Sequence, residues 1–234
     1  MILLRFIPNF LTLTNLFFGC LAVYYGIMGD LETLAYLVLA GMFCDFFDGF
    51  FARQFKIDSQ LGIQLDSLSD LVTFGLTSSV VMLQLIESSS YVVNNSSSSY
   101  VKFVPFIAFL ITVASSYRLA KFNVNSIDSN FRGLPTPANA LLIVFIPFFI
   151  DYFEISALFQ NIYLLVFLVL ISSYLLVSNQ TMFSFKLKNL SFKENKLIYF
   201  VVLLSTLLIA IFGFASIPII VVIYIITNFL RFIF

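Results

Sequence analysis

Eight apolar runs fill this sequence, at roughly 7–28, 33–53, 62–86, 102–122, 136–153, 158–178, 197–212 and 215–232. Most approach the roughly 20 residues that a helix needs to cross a hydrocarbon core. Only 10% of the 234 residues are charged, against about 25% in a soluble domain. Mean hydropathy is +1.04. The expectation is an all-α integral membrane protein of about eight transmembrane helices, forming one membrane domain over residues 1–234. The last two runs are about 16 residues each and separate near Gly213 and Pro218, which places them at the short limit for spanning. Arg5 precedes the first run as it would in a signal peptide. That run is long, opens on Ile-Pro-Asn and shows no clean small-x-small cleavage pattern, so it reads as a membrane helix. Residues 88–100 are polar and of low complexity and read as a flexible linker.

The balance of residue types excludes several functions. Net charge is zero, so nothing points to nucleic acid. The chain has no His, which removes His-based triads, His-ligated zinc and haem. Cys20 and Cys44 lie in apolar runs and read as small buried hydrophobes. Orientation follows from Lys and Arg. With the N-terminus inside and eight spans, eleven of the twelve cations fall on the inner side and only Lys102 outside, as the positive-inside rule requires. The outer loops carry Asp30, Glu32, Glu87, Asp151 and Glu154. Both termini are therefore expected in the cytoplasm, in a multi-pass protein of the cell (inner) membrane. The basic loop 186–196 reads as positive-inside anchoring, with attraction to anionic lipid in addition.

One stretch contradicts the apolar background: DFFDGFFARQFKIDSQLGIQLDSLSD, from Asp45 to Asp70. A carboxylate at the centre of a membrane helix costs about 2.5–3.5 kcal/mol on insertion scales, so four uncompensated ones cost on the order of 10 kcal/mol. At 100° per residue Asp45, Asp48, Gly49 and Ala52 share an arc of one helix, while Asp66 and Asp70 share a face of the next. A rise of 1.5 Å per residue puts Asp45 about 12 Å from Arg53, and Asp70 about 12 Å from Gly62. An antiparallel pair then sets Asp45 level with Asp70 and Asp48 level with Asp66. Carboxylates facing each other repel unless cations neutralise them, and two divalent ions balance four negative charges. Oxygen ligands suit Mg²⁺, Mn²⁺ or Ca²⁺, and paired metals clamp phosphoryl groups. Gly49 and Gly62 let a diphosphate approach the backbone, and Arg53 at the rim is placed to fork onto phosphate oxygens. Two rival readings use the same residues. One is a set of structural ion pairs with Arg53, Lys56 and Arg118. The other is the ion pathway of a cation-coupled transporter, although no second acidic cluster recurs in 102–232, as repeated halves would supply.

Written as a pattern, the stretch is Asp45-x2-Asp48-Gly49-x2-Ala52-Arg53-x8-Gly62-x3-Asp66-x3-Asp70. It resembles the signature of the CDP-alcohol phosphatidyltransferases at all eight positions. The opening Ile7-Pro8-Asn9-Phe10-Leu11-Thr12-Leu13-Thr14-Asn15 resembles that family's first helix. Ser116-Tyr117-Arg118-Leu119-Ala120-Lys121-Phe122-Asn123 and Gly133-Leu134-Pro135-Thr136-Pro137-Ala138-Asn139-Ala140 are similar to its membrane-embedded phosphatidylserine synthases. The resemblance covers about residues 7–145.

The resemblance implies a six-helix core around a cavity open to the cytoplasm, here 7–178, with 197–232 as a C-terminal helix pair, often in a homodimer. It implies transfer of a phosphatidyl group from CDP-diacylglycerol to L-serine, with release of CMP. In that scheme Asp45, Asp48, Asp66 and Asp70 hold two divalent cations, Mg²⁺ or Mn²⁺. Asp45 and Asp66 bridge them, and Asp70 is also the general base. Asn9, Thr12, Gly49, Arg53, Ser59 and Gly62 contact the CDP-lipid. Arg118 and Lys121, three residues apart and so on one face, are the candidates for the serine carboxylate, with Asn123 or Asn139 at the amine. The same cations suit the phosphate of glycerol 3-phosphate, the alternative acceptor, and Lys121 alone suits a lipid-headgroup anchor.

Overall fold

A computed structural model describes residues 2–55, 59–124, 133–180 and 196–233. Lys56, Arg132, Lys186, Lys188 and Lys193 of the orientation argument lie outside the described residues, as does nearly all of the 186–196 loop. Among the described residues there is no strand.

Helix α1, Ile2–Ile27, turns through Gly29 into α2, Leu31–Gln54. Asp30 caps α2 by accepting a hydrogen bond from Thr33 N at 2.9 Å. Helix α3, Gln60–Glu87, starts at a Ser59 cap and widens into a π-helical stretch at Leu71–Leu76. Helix α4, Val101–Val124, begins as a 3-10 segment through Phe109 and continues as α-helix from Leu110. Helix α5, Thr136–Phe153, breaks at Phe145 because Pro147 has no N–H to continue the ladder. Helix α6 is Ile162–Val177. Helices α7, Lys196–Phe212, and α8, Ile217–Ile233, meet at a tight turn, Gly213–Ser216, where Gly213 takes a φ of 55°.

Among the described residues six stretches are long and apolar enough to cross a membrane: Phe6–Ile27, Leu31–Gln54, Gln60–Glu87, Val101–Val124, Thr136–Phe153 and Val201–Phe229. The last contains most of α7 and α8, on either side of the Gly213 turn, and α6 is apolar but shorter. The expected all-α membrane architecture is therefore what the chain adopts.

Helix α3 is the axis. It packs against α1, α2, α4, α5 and α6. Around it Phe74, Met82, Ile86, Ile111, Ile143 and Phe145 are fully buried. Helix α8 packs on α5, whereas α7 packs chiefly on α8 and the turn between them.

Two sequence expectations need correction. Cys20 is exposed, and only Cys44 is buried. An apolar run does not separate the two cases, because lipid is as apolar as a protein core. Segment 88–100 is not a loose linker. Ser90–Asn94 forms a helical turn, Ser89 is wholly buried, and Ser90 N donates to the Gln160 carbonyl at 3.1 Å.

Candidate active site

The site is built where α1, α2 and α3 cross. Small residues allow the close approach. A Cβ on Gly41 would lie 2.7 Å from Thr73 Cγ2 and 2.8 Å from Asn15 Oδ1. Hydroxyls of α3 then fasten it to the backbone of α1. Ser69 Oγ donates to the Thr12 carbonyl at 2.9 Å, and Thr73 Oγ1 donates to the Asn15 carbonyl at 3.0 Å. Asp45 follows Gly41 by one turn, and Asp70 precedes Thr73 by three residues, so the crossing fixes both carboxylates.

The carboxylate oxygens of Asp45, Asp48 and Asp66 lie within 4.8 Å of one another. The Asp45 carboxyl is also within hydrogen-bond reach of Asp70. Asp45 thus stands between both acids of α3, whereas the depth arithmetic sets it level with Asp70 alone. Asp48 and Asp70 are buried, Asp45 and Asp66 half-buried. Arg53 lies in electrostatic range of Asp48, and Arg118 of Asp70. Two cations do not balance four acids. Asp70 Oδ1 is buried with no hydrogen-bond partner, a state that costs about 1–3 kcal/mol for a neutral acceptor and more for a charged one. An all-oxygen donor set with an orphaned, inward oxygen fits a hard divalent cation.

The other candidate residues divide into groups. Thr12 Oγ1 is 2.5 Å from Asp48 Oδ2 and 3.0 Å from the Pro8 carbonyl. Its single proton serves the carboxylate, so Thr12 reaches a lipid substrate only through Asp48 or by a lone pair. Ser59 accepts from Gly62 N at 2.9 Å and is first of all a helix cap. A Cβ on Gly62 would press on Ser59 Oγ at 2.9 Å and on Asn9 Oδ1 at 3.4 Å, which gives Gly62 a local packing reason too. At Gly49 the nearest obstacle to a Cβ is the Arg53 guanidinium at 3.6 Å. The face of Gly49 is thus open, with a cation at its edge.

The proposed acceptor residues separate. Arg118 turns inward and donates from Nη1 to Thr136 Oγ1 at 3.3 Å, while its Nε is buried and unpartnered. Lys121 Nζ donates to Asn179 Oδ1 at 2.9 Å. Asn123 Nδ2 donates to Ser67 Oγ at 2.9 Å, beside Asp66. Asn139 accepts from Ser172 Oγ at 2.5 Å and keeps its Nδ2 buried without a partner. Sequence reasoning gave no role to Ser69, Thr73 or Thr136, and none to Asn15, whose side-chain oxygen and nitrogen are both buried and unpaired. A polar residue inside an apolar run was the available signal for each.

The CDP-alcohol phosphatidyltransferase family profile matches residues 5–175. The chain belongs to that family. It is 30% identical over 150 residues to a CDP-diacylglycerol–serine O-phosphatidyltransferase of Bacillus subtilis, covering 62% of this chain and 77% of that protein. A protein of the same name from Helicobacter pylori is 31% identical over 140 residues, covering 58% of this chain and 55% of its own length. An archaetidylserine synthase of Methanothermobacter thermautotrophicus is 30% identical over 156 residues, covering 65% of this chain and 62% of its own. Helices α7 and α8 lie beyond the family match.

Proposed function

We propose that this member of the family transfers the phosphatidyl group of CDP-diacylglycerol to L-serine, giving phosphatidylserine and CMP. The observation that carries the reading is the convergence of the Asp45, Asp48 and Asp66 carboxylates, with Asp70 within reach of Asp45 and the half-buried Arg118 in electrostatic range of Asp70. The serine-transferring names of its bacterial relatives support the choice of acceptor. Asp45, Asp48, Asp66 and Asp70 are the residues that would hold two divalent cations, Mg²⁺ or Mn²⁺. Such ions, when bound, supply the positive charge that offsets the diphosphate and the developing charge of phosphoryl transfer.

The chain's own groups do the rest. Arg53 and the open face of Gly49 receive the nucleotide-lipid diphosphate, with Asn9 and Ser59 across the mouth. Asp70 takes the proton of the serine hydroxyl. That oxygen bonds to the phosphorus bearing diacylglycerol, the bond from this phosphorus to the CMP oxygen breaks, and CMP leaves with the electron pair. Arg118 holds the serine carboxylate so that the hydroxyl faces Asp70.

The protein works as one membrane domain, α1–α6 carrying the chemistry. Arg53, Arg118 and Lys121 lie at the end of the bundle assigned to the cytoplasm. Asp30, Glu32 and Asp151 share a recess of the other end, and the lipid tails stay in the bilayer.

The test is CMP release by purified protein from CDP-diacylglycerol with a panel of labelled alcohols. Serine is expected to be used, and ethanolamine and glycerol 3-phosphate to lag far behind. Release with glycerol 3-phosphate alone would reassign the acceptor. No release with any alcohol would reopen the transporter reading.

A further inference from the structure

Helix α8 is apolar along most of its length, from Ile217 to Ile233. Two of its polar residues, Tyr224 and Asn228, are one turn apart and turned inward, at 9% and 8% exposure. Tyr224 packs with Leu134, Leu175 and Ala138, at the start of α5 and the end of α6. A helix that only filled space there has no need of a phenol or an amide. Tyr224 also lies in electrostatic range of Arg118. Arg118 Nη1 donates to Thr136 Oγ1 at 3.3 Å, and Tyr224 packs with Leu134 and Ala138, which flank Thr136 in the chain, so guanidinium and phenol meet at the entrance of α5, with Asp70 in electrostatic range. Asn228 Nδ2 donates to the Tyr224 carbonyl at 2.7 Å, and the Asn228 side chain also meets the phenol.

From this junction we infer that α8, outside the part of the chain shared with the family, completes the acceptor pocket. Tyr224 is a specificity-determining residue that reads the acceptor's carboxylate together with Arg118, and Asn228 is a positioning residue that orients the phenol. The inference rests on the acceptor role proposed for Arg118. The chemistry is direct. A carboxylate that docks on the buried, unpartnered Arg118 Nε still has lone pairs to satisfy, and a phenol is a donor that adds no charge. A hydrogen bond to a charged group, lost equally in ground and transition states, appears in KM and leaves kcat alone.

The experiment is acceptor kinetics on purified Tyr224→Phe, Asn228→Ala and, as control, Ile226→Leu on the exposed side of the same helix. Tyr224→Phe is expected to raise serine KM about tenfold or more, with kcat and the CDP-diacylglycerol KM within about twofold. Its preference for serine over ethanolamine, which lacks the carboxylate, should narrow by a similar factor. Asn228→Ala should follow in the same direction with a smaller change, and Ile226→Leu should change nothing. Unchanged serine KM in Tyr224→Phe overturns the inference. So does a fall in kcat shared by serine and ethanolamine, which marks a packing role. If the wild type does not use serine, the proposed function fails by itself. The role of α8 is then read on whichever acceptor is used, and stands only if Tyr224→Phe raises the KM for that acceptor.

Discussion

Helix α3 and the α7–α8 stretch invert the rule of soluble proteins. The window of Gln60–Glu87 has a mean hydropathy of 1.4 and is 67% buried, while that of Val201–Phe229 has 2.8 and is 28% buried. The least apolar span is the most enclosed. Lipid solvates Leu and Ile as well as any core does, so apolar side chains gain little by turning inward. Polar groups gain a great deal, because the bilayer offers them no partner. The interior of α3 accordingly holds Ser69, Asp70, Thr73, Thr77, Ser78 and Ser79, all buried. Their hydroxyls are spent on carbonyls: Thr77 Oγ1 on Thr73, Ser78 Oγ on Phe74, Thr73 Oγ1 on Asn15. What remains unsatisfied, Asp70 Oδ1, is at the candidate site. In this fold the burial of a polar group marks chemistry better than the burial of an apolar one marks stability.

The contrast is open to attack at several strengths. The largest effect is expected at the acids. Asp66→Ala, or metal stripping with excess chelator, should abolish CMP release, and full turnover in metal-free protein would end the two-cation account. Next comes Asp70→Asn, which keeps the shape but removes the proposed base and one proposed ligand. It should slow turnover by about 10²–10⁴-fold while binding of CDP-diacylglycerol, followed by equilibrium titration, largely survives. Near-normal turnover there would move the base elsewhere. Stability is the third point. Phe74 is fully buried in α3, and Leu207 in α7 is 55% exposed. Phe74→Ala should cost about 3 kcal/mol or more, and Leu207→Ala less than about 0.5 kcal/mol. Unfolding in mixed micelles compares them, and equal losses would erase the distinction drawn between the two regions. The smallest effect belongs to a single interhelical hydroxyl pair. Ser79 Oγ and Thr112 Oγ1 are 2.7 Å apart between α3 and α4. Ser79 Oγ also accepts from Thr112 N at 3.1 Å, so Ser79→Ala removes two interhelical contacts and should cost about 1 kcal/mol, at about 0.6 kcal/mol for each such bond in membranes; a loss several times larger would mean that this contact anchors more than the two helices.

Much of this was legible in the chain. The all-α membrane architecture follows from run length, and the meeting of Asp45, Asp48 and Asp66 from 100° spacing, since both signals are local; of the eight expected spans, six stretches among the described residues are long and apolar enough to cross. Arg118 was legible as a candidate through the resemblance of 116–123 to the family and its three-residue spacing from Lys121. Other features were not legible. The π-helical stretch at Leu71–Leu76 breaks the 100° count just after Asp70, so faces computed across it slip by about one residue. Thr12 Oγ1 meets Asp48, 36 residues away, and that pairing depends on how α1 and α2 pack. Cys20 and Cys44 look alike in sequence, and only packing decides which one meets lipid. Tyr224 and Asn228 sit in a run that hydropathy alone reads as a plain span. Their meaning came from a neighbour more than 100 residues away, Arg118.

The entrance to α5 is clasped by two main-chain hydrogen bonds. Gly133 N donates to the Gln180 carbonyl at 2.8 Å, and Leu134 N donates to the Leu175 carbonyl at 2.9 Å. Gly133 has a φ of 77°, and a Cβ there would lie 2.5 Å from the Leu176 carbonyl. Thr136, the partner of Arg118, follows three residues later. For a lineage drifting by single substitutions, this clasp is nearly silent. The side chain at 180 takes no part in either bond, whereas Leu175 is buried with Leu134 and Tyr224, so the depth of Thr136 is inherited through backbone at one bond and through backbone and packing at the other. Two kinds of mutation reach the bonds themselves: any side chain at 133, and proline at 134, which removes the donor. Homologues compared residue by residue would show variation at 180 and an apolar residue at 175 while the backbone clasp kept its shape.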